Sequence, residues 1–329
     1  MDAVLLLAHG TPDAVEAVPD FLRNVTGGRP IPAPVVAEIQ HRYSLIGHSP
    51  LTEITHRQAQ RVARLLDLPV YVGMRNWHPY IPDVVRQMLA DGVTRAVAIC
   101  LAPQNSRTSV GLYRRALFGV EGSLDSLYPP AGERPPFAVE FVESWHDHPL
   151  LVRAFLERLL PAWTKASVEL GAAAPILFTA HSVPERTITA GDPYAEQARE
   201  TATRVAAEVA GLPQGNWRFA FQSQGLSGGP WIGPTVEETI LELKAAGHGG
   251  VFLQPIGFLA DHVEVLYDLD IFFREFAEKQ EMGFWRAPSL NDSRPLAAAL
   301  ADLVRAAFQR VPADVADTRS GRPPGPGRA

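Results

Sequence analysis

Apolar residues fall in two patterns along the chain. Short runs at Val4–Ala8, Val70–Val72, Ala96–Leu101, Ala138–Val142, Ile176–Thr179, Arg218–Gln222 and Val251–Pro255 are dominated by Val, Ile, Leu, Ala and Phe, and they read as strands. Between them, apolar positions recur every three or four residues, over Leu51–Leu66, Ile81–Asp91, Leu150–Leu160, Tyr194–Ala210, Val236–Ala246 and Pro295–Gln309, which predicts helices. Strands spaced by helices predict βαβ units and a mostly parallel sheet. Three helix starts carry signals: Ser49 before Pro50, Asp192 before Pro193, and Thr235 three residues ahead of Glu238, a capping box.

The pattern repeats itself. Leu5–Pro12 reads Leu-Leu-Leu-Ala-His-Gly-Thr-Pro, and Leu177–Pro184 reads Leu-Phe-Thr-Ala-His-Ser-Val-Pro. Further on, Trp77 leads a helix that ends near Gly92 and precedes the Ala96 strand. Trp231 leads one that ends near Gly247 and precedes the Val251 strand. The expectation is two copies of one α/β domain, residues 1–148 and 149–313, followed by a Pro-, Gly- and Arg-rich tail, residues 314–329, that reads as disordered.

Composition narrows the class. A chain of 329 residues suits two domains. The apolar share of 46%, the charged share of 20% and the net charge of −6 are ordinary for a globular protein and argue against a nucleic-acid partner. The one cysteine, Cys100, excludes an intrachain disulfide or a cysteine-rich metal site and reads as a small core residue. No apolar run is long enough to cross a membrane, and the N-terminus lacks a basic leader, so the expected compartment is the cytoplasm.

In a parallel sheet, ligands bind beyond the carboxyl ends of the strands. His9 and His181 both stand there, one in each half. After the Val251 strand, a helix beginning near Asp261 would place Glu264 and Asp268 one turn apart on one face. Two like charges at that spacing raise each other's pKa and call for a cation or a shared proton. His181, Glu264 and Asp268 therefore form the candidate constellation: an imidazole that titrates near neutrality and carboxylates suited to pass protons or guide a divalent cation, together a donor set that suits borderline first-row metals such as ferrous iron. Arg29 and the pair Arg42-Tyr43 are candidates for anionic groups. Asp261-His262 reads as a helix cap and its neighbour, and His146-Asp147-His148 as a surface linker. The loop Gln222–Gly229 lacks nucleotide-binding spacing, and no Gly-x-Ser-x-Gly elbow is present.

The combined motifs resemble those of ferrochelatases. Ala180-His-Ser-Val-Pro-Glu, Gly191-Asp-Pro-Tyr, Phe221-Gln-Ser, Trp231-Ile-Gly-Pro and Gly257-Phe-Leu-Ala-Asp-His-Val-Glu-Val-Leu-Tyr-Asp are similar to the C-terminal half of that family. Leu7-Ala-His-Gly-Thr-Pro, Arg42-Tyr-Ser-Leu-Ile-Gly-His-Ser-Pro-Leu, Met74-Arg-Asn-Trp-His-Pro-Tyr and Leu101-Ala-Pro-Gln are similar to the N-terminal half. The resemblance implies two Rossmann-like domains with four-stranded parallel sheets and a porphyrin cleft between them. It implies insertion of Fe²⁺ into a porphyrin in haem synthesis, with iron as substrate and no organic cofactor. His181 matches the family's essential, metal-facing histidine, Glu264 its paired acid, and Asp268 continues the carboxylate line.

Departures are visible too. His9 stands where short bacterial members have a tyrosine, Asn76 where some relatives have a histidine, and the Ile46–Pro50 loop is short. The resemblance is strongest to the monomeric bacterial type that metallates coproporphyrin III. That reading assigns Arg29, Arg42, Tyr43, Ser49, Ser223 and His9 to substrate binding. It allows transient contact with neighbouring haem-pathway enzymes. Alternatives are a protoporphyrin IX ferrochelatase, a sirohydrochlorin chelatase, a non-catalytic porphyrin or haem carrier, and a zinc hydrolase.

Overall fold

The computed structural model describes residues 1–119, 135–225 and 229–310. The proposed tail at 314–329 and part of the glycine-rich loop lie outside them. The first half runs β1 (Asp2–Ala8), α1 (Val18–Val25), α2 (Ala33–Ile46), α3 (Leu51–Leu66), β2 (Val70–Met74), α4 (Ile81–Ala90), β3 (Arg95–Cys100), α5 (Val110–Phe118) and β4 (Ala138–Val142). The second begins with α6 (Pro149–Leu170), β5 (Ile176–His181), α7 (Glu185–Thr189), α8 (Tyr194–Ala207), β6 (Trp217–Gln222) and α9 (Val236–Ala245). It continues with β7 (Gly250–Pro255), α10 (Val263–Leu266), a π-helical segment (Asp268–Phe273), α11 (Arg274–Lys279), β8 (Gly283–Arg286) and α12 (Arg294–Arg310).

The strands make two parallel sheets, ordered β2-β1-β3-β4 and β6-β5-β7-β8. The same order twice gives two Rossmann-like domains and bears out the sequence echo. Even the loop after the second strand repeats: the Met74 amide donates to the Pro79 carbonyl at 2.7 Å, and the Phe221 amide to the Pro234 carbonyl at 2.8 Å. In each sheet the chain leaves the first strand to one side and later returns on the other. The switch point therefore lies at β1 and at β5, and the carboxyl ends of these strands are where a ligand is expected in such a sheet.

The strands are apolar on both faces because both faces are covered. Leu5 and Leu7 of β1 pack with Ile81, Val84 and Met88 of α4. Val4 and Leu6 join a larger core that runs through both halves, with Val62, Phe155, Phe178 and Leu300. Full burial of each such side chain contributes about 1.5–3 kcal/mol. Helix α12, which the sequence split assigns to the second half, packs against α6, α3, β3 and β4, so the last described helix returns to the first sheet. Cys100 is buried in β3.

Three local expectations are corrected. Helix α3 begins at Leu51 with Pro50 as its capping residue, and Ser49 makes no cap bond. The helix expected near Asp261 begins at Val263, because the Asp261 carboxylate is engaged elsewhere, by Ser289 at 2.7 Å and Asn291 at 2.8 Å. His146 and His148 are mostly buried rather than solvated. His146 is bonded to Ser144 and Glu200, and His148 caps α6 and meets Asp302. The Thr235–Glu238 capping box is present, and Asp192 accepts the Tyr194 amide at the start of α8.

Candidate active site

His181 is the last residue of β5, at the switch point. Its carbonyl accepts the Tyr194 hydroxyl at 2.9 Å, which fixes the backbone. Its Nδ1 faces the Ser182 carbonyl, and its Nε2 lies 3.4 Å from Glu264 Oε1. Trp231 and Phe258 flank the ring, each with its centroid 6.3 Å away. An acceptor at both ring nitrogens favours the imidazolium form. Burial opposes that charge, but the Glu264 carboxylate, through its field and its hydrogen bond, outweighs burial and raises the His181 pKa. For Glu264, burial alone would raise the pKa, while His181 and His262 hold it well below the usual carboxylate range. The arrangement suits a proton passing between Nε2 and Oε1.

Glu264 sits at the start of α10, and its backbone carbonyl accepts the Gln222 amide at 3.1 Å. His262, just before it, donates Nδ1–H to the Ala260 carbonyl at 2.9 Å and holds Nε2 3.4 Å from Glu264 Oε2. Asp268 opens the π-helical segment and is buried. Burial, with the nearby Glu264 charge, pushes its pKa up to about 6, although the Ser223 hydroxyl bonded to Oδ2 pulls the other way. Ser223 reaches it from a left-handed backbone, φ 58°. Arg42 of α2 crosses from the first half: Nη1 lies 3.6 Å from Asp268 Oδ1, Nε donates to Glu38 at 3.0 Å, and the guanidinium covers the Tyr267 ring at 4.9 Å.

His9 follows β1 at the corresponding switch point of the other sheet. The residue as a whole is exposed, but its ring is partly covered and lies within the field of groups from both halves, Arg75, Glu264 and His262. Its Nδ1 donates to the Gly10 carbonyl at 3.1 Å, so its Nε2 accepts the Asn76 amide at 2.9 Å. The protein packed around the ring, which displaces water from it, and the Arg75 charge push its pKa down to about 4 and keep the imidazole neutral. Asn24 of α1 steadies this side by donating to the Asn76 carbonyl at 3.1 Å.

The structure thus brings together His181, Glu264, Asp268, Ser223, Arg42 and His9. Tyr43 stands behind them, buried, with its hydroxyl 3.1 Å from that of Thr11. Ser49 is buried with its hydroxyl unpartnered. Arg29 is exposed on the turn after α1, its Nε donating to the Thr26 carbonyl at 3.1 Å. Sequence reasoning missed His262, Gln222 and Asn76 as site members. His262 lies two residues before Glu264, a spacing with no helical signal, and the Asn76–His9 bond spans 67 residues. Among the described residues, no three His, Cys, Asp or Glu side chains form a group that could hold a metal ion. A zinc hydrolase needs three such ligands.

A family model described as Ferrochelatase matches residues 1–308. The chain belongs to the ferrochelatase family. It is an enzyme of metal insertion into porphyrin, in haem biosynthesis. A ferrochelatase of Acidobacterium capsulatum is 52% identical over 95% of this chain and 97% of that one. A coproporphyrin III ferrochelatase of a Geobacillus species is 32% identical over 92% and 96%. Among solved structures, the sirohydrochlorin chelatase of Bacillus subtilis subspecies spizizenii, in complex with cobalt, aligns with a TM-score of 0.53. That alignment has 11% identity and covers 94% of this chain and 95% of that one. At such identity the likeness speaks for the fold alone. No helix among the described residues is long and apolar enough to cross a membrane.

Proposed function

We propose that this ferrochelatase acts in the cytoplasm on coproporphyrin III, exchanging its two pyrrole N–H protons for one Fe²⁺. The observation that carries the chemistry is the His181–Glu264 pair at 3.4 Å, faced from the other half by the neutral His9. Iron enters only as those protons leave, so a base must stand at one face of the ring. His181 is that base in our reading. In its unprotonated form it accepts one ring proton at Nε2, where the Glu264 carboxylate stabilises the imidazolium. It passes that proton on toward Asp268, whose pKa of about 6 lets it release protons near neutral pH, and then accepts the second. His181 and Glu264 also supply the donors that meet incoming iron, an imidazole and a carboxylate being a set ferrous iron accepts. A cleft shaped for the bent macrocycle supplies the rest of the rate.

Coproporphyrin III carries four propionates. Arg42, if it turns from Asp268, and Arg29, exposed and bonded among the described residues only to backbone, are suited to pair with them. Ser49, whose hydroxyl is buried and unpartnered, has no route to a propionate in this conformation and is left out of the assignment. Ser223 has its hydroxyl on Asp268, so we assign it to that acid rather than to a propionate. Relatives named coproporphyrin III ferrochelatases support this choice of substrate, and the plainly named ferrochelatase at 52% identity keeps protoporphyrin IX as the second reading. The test is anaerobic metallation with Fe²⁺ and each porphyrin, with His181→Ala alongside. Turnover of coproporphyrin III that His181→Ala abolishes supports the proposal. Preference for protoporphyrin IX overturns the substrate choice, and binding of either without turnover points to a carrier.

A further inference from the structure

One side chain holds both ends of the segment that carries the acids. Arg286 lies on β8, the edge strand of the second sheet, and its side chain is 14% exposed. Its Nε and Nη2 donate to Oδ1 and Oδ2 of Asp270, both at 2.6 Å. The same Nη2 lies 3.7 Å from Asp261 Oδ1. Asp261 precedes α10 and Asp270 lies in the π-helical segment. The two carboxylates therefore bracket His262, Glu264 and Asp268.

The bracket is tied down further. Asp261 also accepts Ser289 and Asn291 side chains, and its amide donates to Asn291 Oδ1 at 2.9 Å. The Asn291 carbonyl takes the Gln58 amide of α3 at 2.8 Å, which links the anchor to the first half. Arg274 donates to the Asp270 carbonyl at 3.1 Å and to the Phe284 carbonyl of β8 at 3.2 Å. The segment needs such anchors. Helix α10 has four residues and runs almost directly into π-helical geometry, so local hydrogen bonding alone fixes its register weakly.

We propose that Arg286 is a positioning residue for metal insertion: by bridging Asp261 and Asp270 it sets the register that holds Glu264 and Asp268 against His181. The proposal rests on the site reading above. A planar guanidinium grips both oxygens of Asp270 while reaching Asp261, and a lysine ammonium cannot do both. Arg286→Lys keeps the charge and loses the fork.

The experiment measures anaerobic Fe²⁺ insertion into coproporphyrin III and into protoporphyrin IX by wild type, and into whichever of the two the wild type metallates by Arg286→Lys, Asp270→Asn and the double variant, with thermal melting and porphyrin titration of each. We expect Arg286→Lys to fold and bind porphyrin with KM within about twofold of wild type. We expect its kcat to fall about ten- to a hundredfold, the scale of a misplaced catalytic group. Asp270→Asn should fall similarly, and the double variant should be no worse than the poorer single. Wild-type kcat in folded Arg286→Lys or in Asp270→Asn overturns the proposal, as do losses that only follow the folded fraction. If Arg286→Lys does not fold, Asp270→Asn decides. Failure of the wild type to metallate either porphyrin overturns the site reading instead.

Discussion

Replacing Glu264 by Gln removes one negative charge 3.4 Å from His181 Nε2 and keeps nearly the same shape. Coulomb's law sets that attraction at about 1 kcal/mol with the permittivity of water and at about 5 kcal/mol with an effective permittivity of about 20. The side chains are 31% and 36% exposed, so solvent screening holds the value toward the lower figure. Without the charge, the largest influence left on His181 is burial, which lowers its pKa, against smaller support from the Ser182 carbonyl and Asp268. The variant imidazole binds its proton less tightly. A base must be unprotonated to act, so the acid limb of kcat/KM moves toward lower pH, while the plateau falls because Gln cannot take up the proton. The assay is Fe²⁺ insertion from about pH 5 to about pH 8, the window in which histidine titrates. It is paired with an NMR titration of the His181 ring in the porphyrin-free protein. Asp268 titrates in the same window, so the kinetic limb belongs to the coupled set and the imidazole signal separates its members. An imidazole titration that stays put, or moves to higher pH, refutes the claim that Glu264 holds the His181 proton.

The same pair makes folding depend on pH in a definite sense. His181 is raised in the folded state, so its contribution is fully present below 6.5 and is lost as pH rises through the raised value. Glu264 is depressed, so its contribution is present above 4.5 and is lost as pH falls through the lowered value. The pair stabilises most between those limits. Urea midpoints of wild type and Glu264→Gln should therefore differ more at about pH 5.5 than at about pH 8.5.

Four other outcomes follow from single contacts. His181→Ala should bind porphyrin, read by its absorbance shift, yet insert iron at least about a hundredfold more slowly, the typical share of a general base. A Cβ on Gly257 would stand 2.9 Å from Ala180 Cβ and 3.0 Å from Ala180 Cα, so Gly257→Ala should cost about 1–3 kcal/mol in a urea melt and displace His181 enough to slow turnover. Ser223→Gly relieves a left-handed residue and should be as stable as wild type or up to about 1 kcal/mol more stable; it should nevertheless be slower, because Asp268 loses its hydroxyl partner. Asn76→Asp puts a carboxylate where the amide lies 2.9 Å from His9 Nε2, so NMR should find the His9 titration well above its value of about 4.

Legibility followed the range of the interactions. Strands β1, β3, β5 and β7 stood out because both faces are apolar, and repetition of that pattern disclosed the duplicated sheet. Strand β8 did not, since Gly283–Arg286 is four residues long with only Phe284 buried. Helix α2 opens with Ala33-Pro34 and buries only Tyr43, so it carries no apolar stripe to read. Glu264 and Asp268 showed through their spacing, but the helix start did not. Asp261 looks like a cap until its partners, 25 to 30 residues away, are brought to it. Ser49 fails as a cap for a related reason: its hydroxyl is turned into the protein and left without a partner.

The duplication itself supplies the deepest contrast. Both halves carry Ala-His where their first strand ends, and the fold sets both imidazoles at equivalent switch points. What differs is what the second half adds after β7. The segment from Asp261 to Asp270 brings Glu264 to within 3.4 Å of His181, whereas His9 meets an uncharged amide at Asn76 and the nearby charge of Arg75. One imidazole is therefore raised and shares its proton with an acid, while its counterpart is lowered to about 4 and stays neutral. Two copies of one residue with their pKa values pushed apart are suited to separate tasks. On the proposed reading, in which protons leave a porphyrin as a cation enters, the raised member with an acid behind it suits proton transfer. The neutral member suits a face where positive charge must not gather before the iron arrives. In our proposal Arg286 extends that division, because it anchors the segment that carries Glu264 and Asp268.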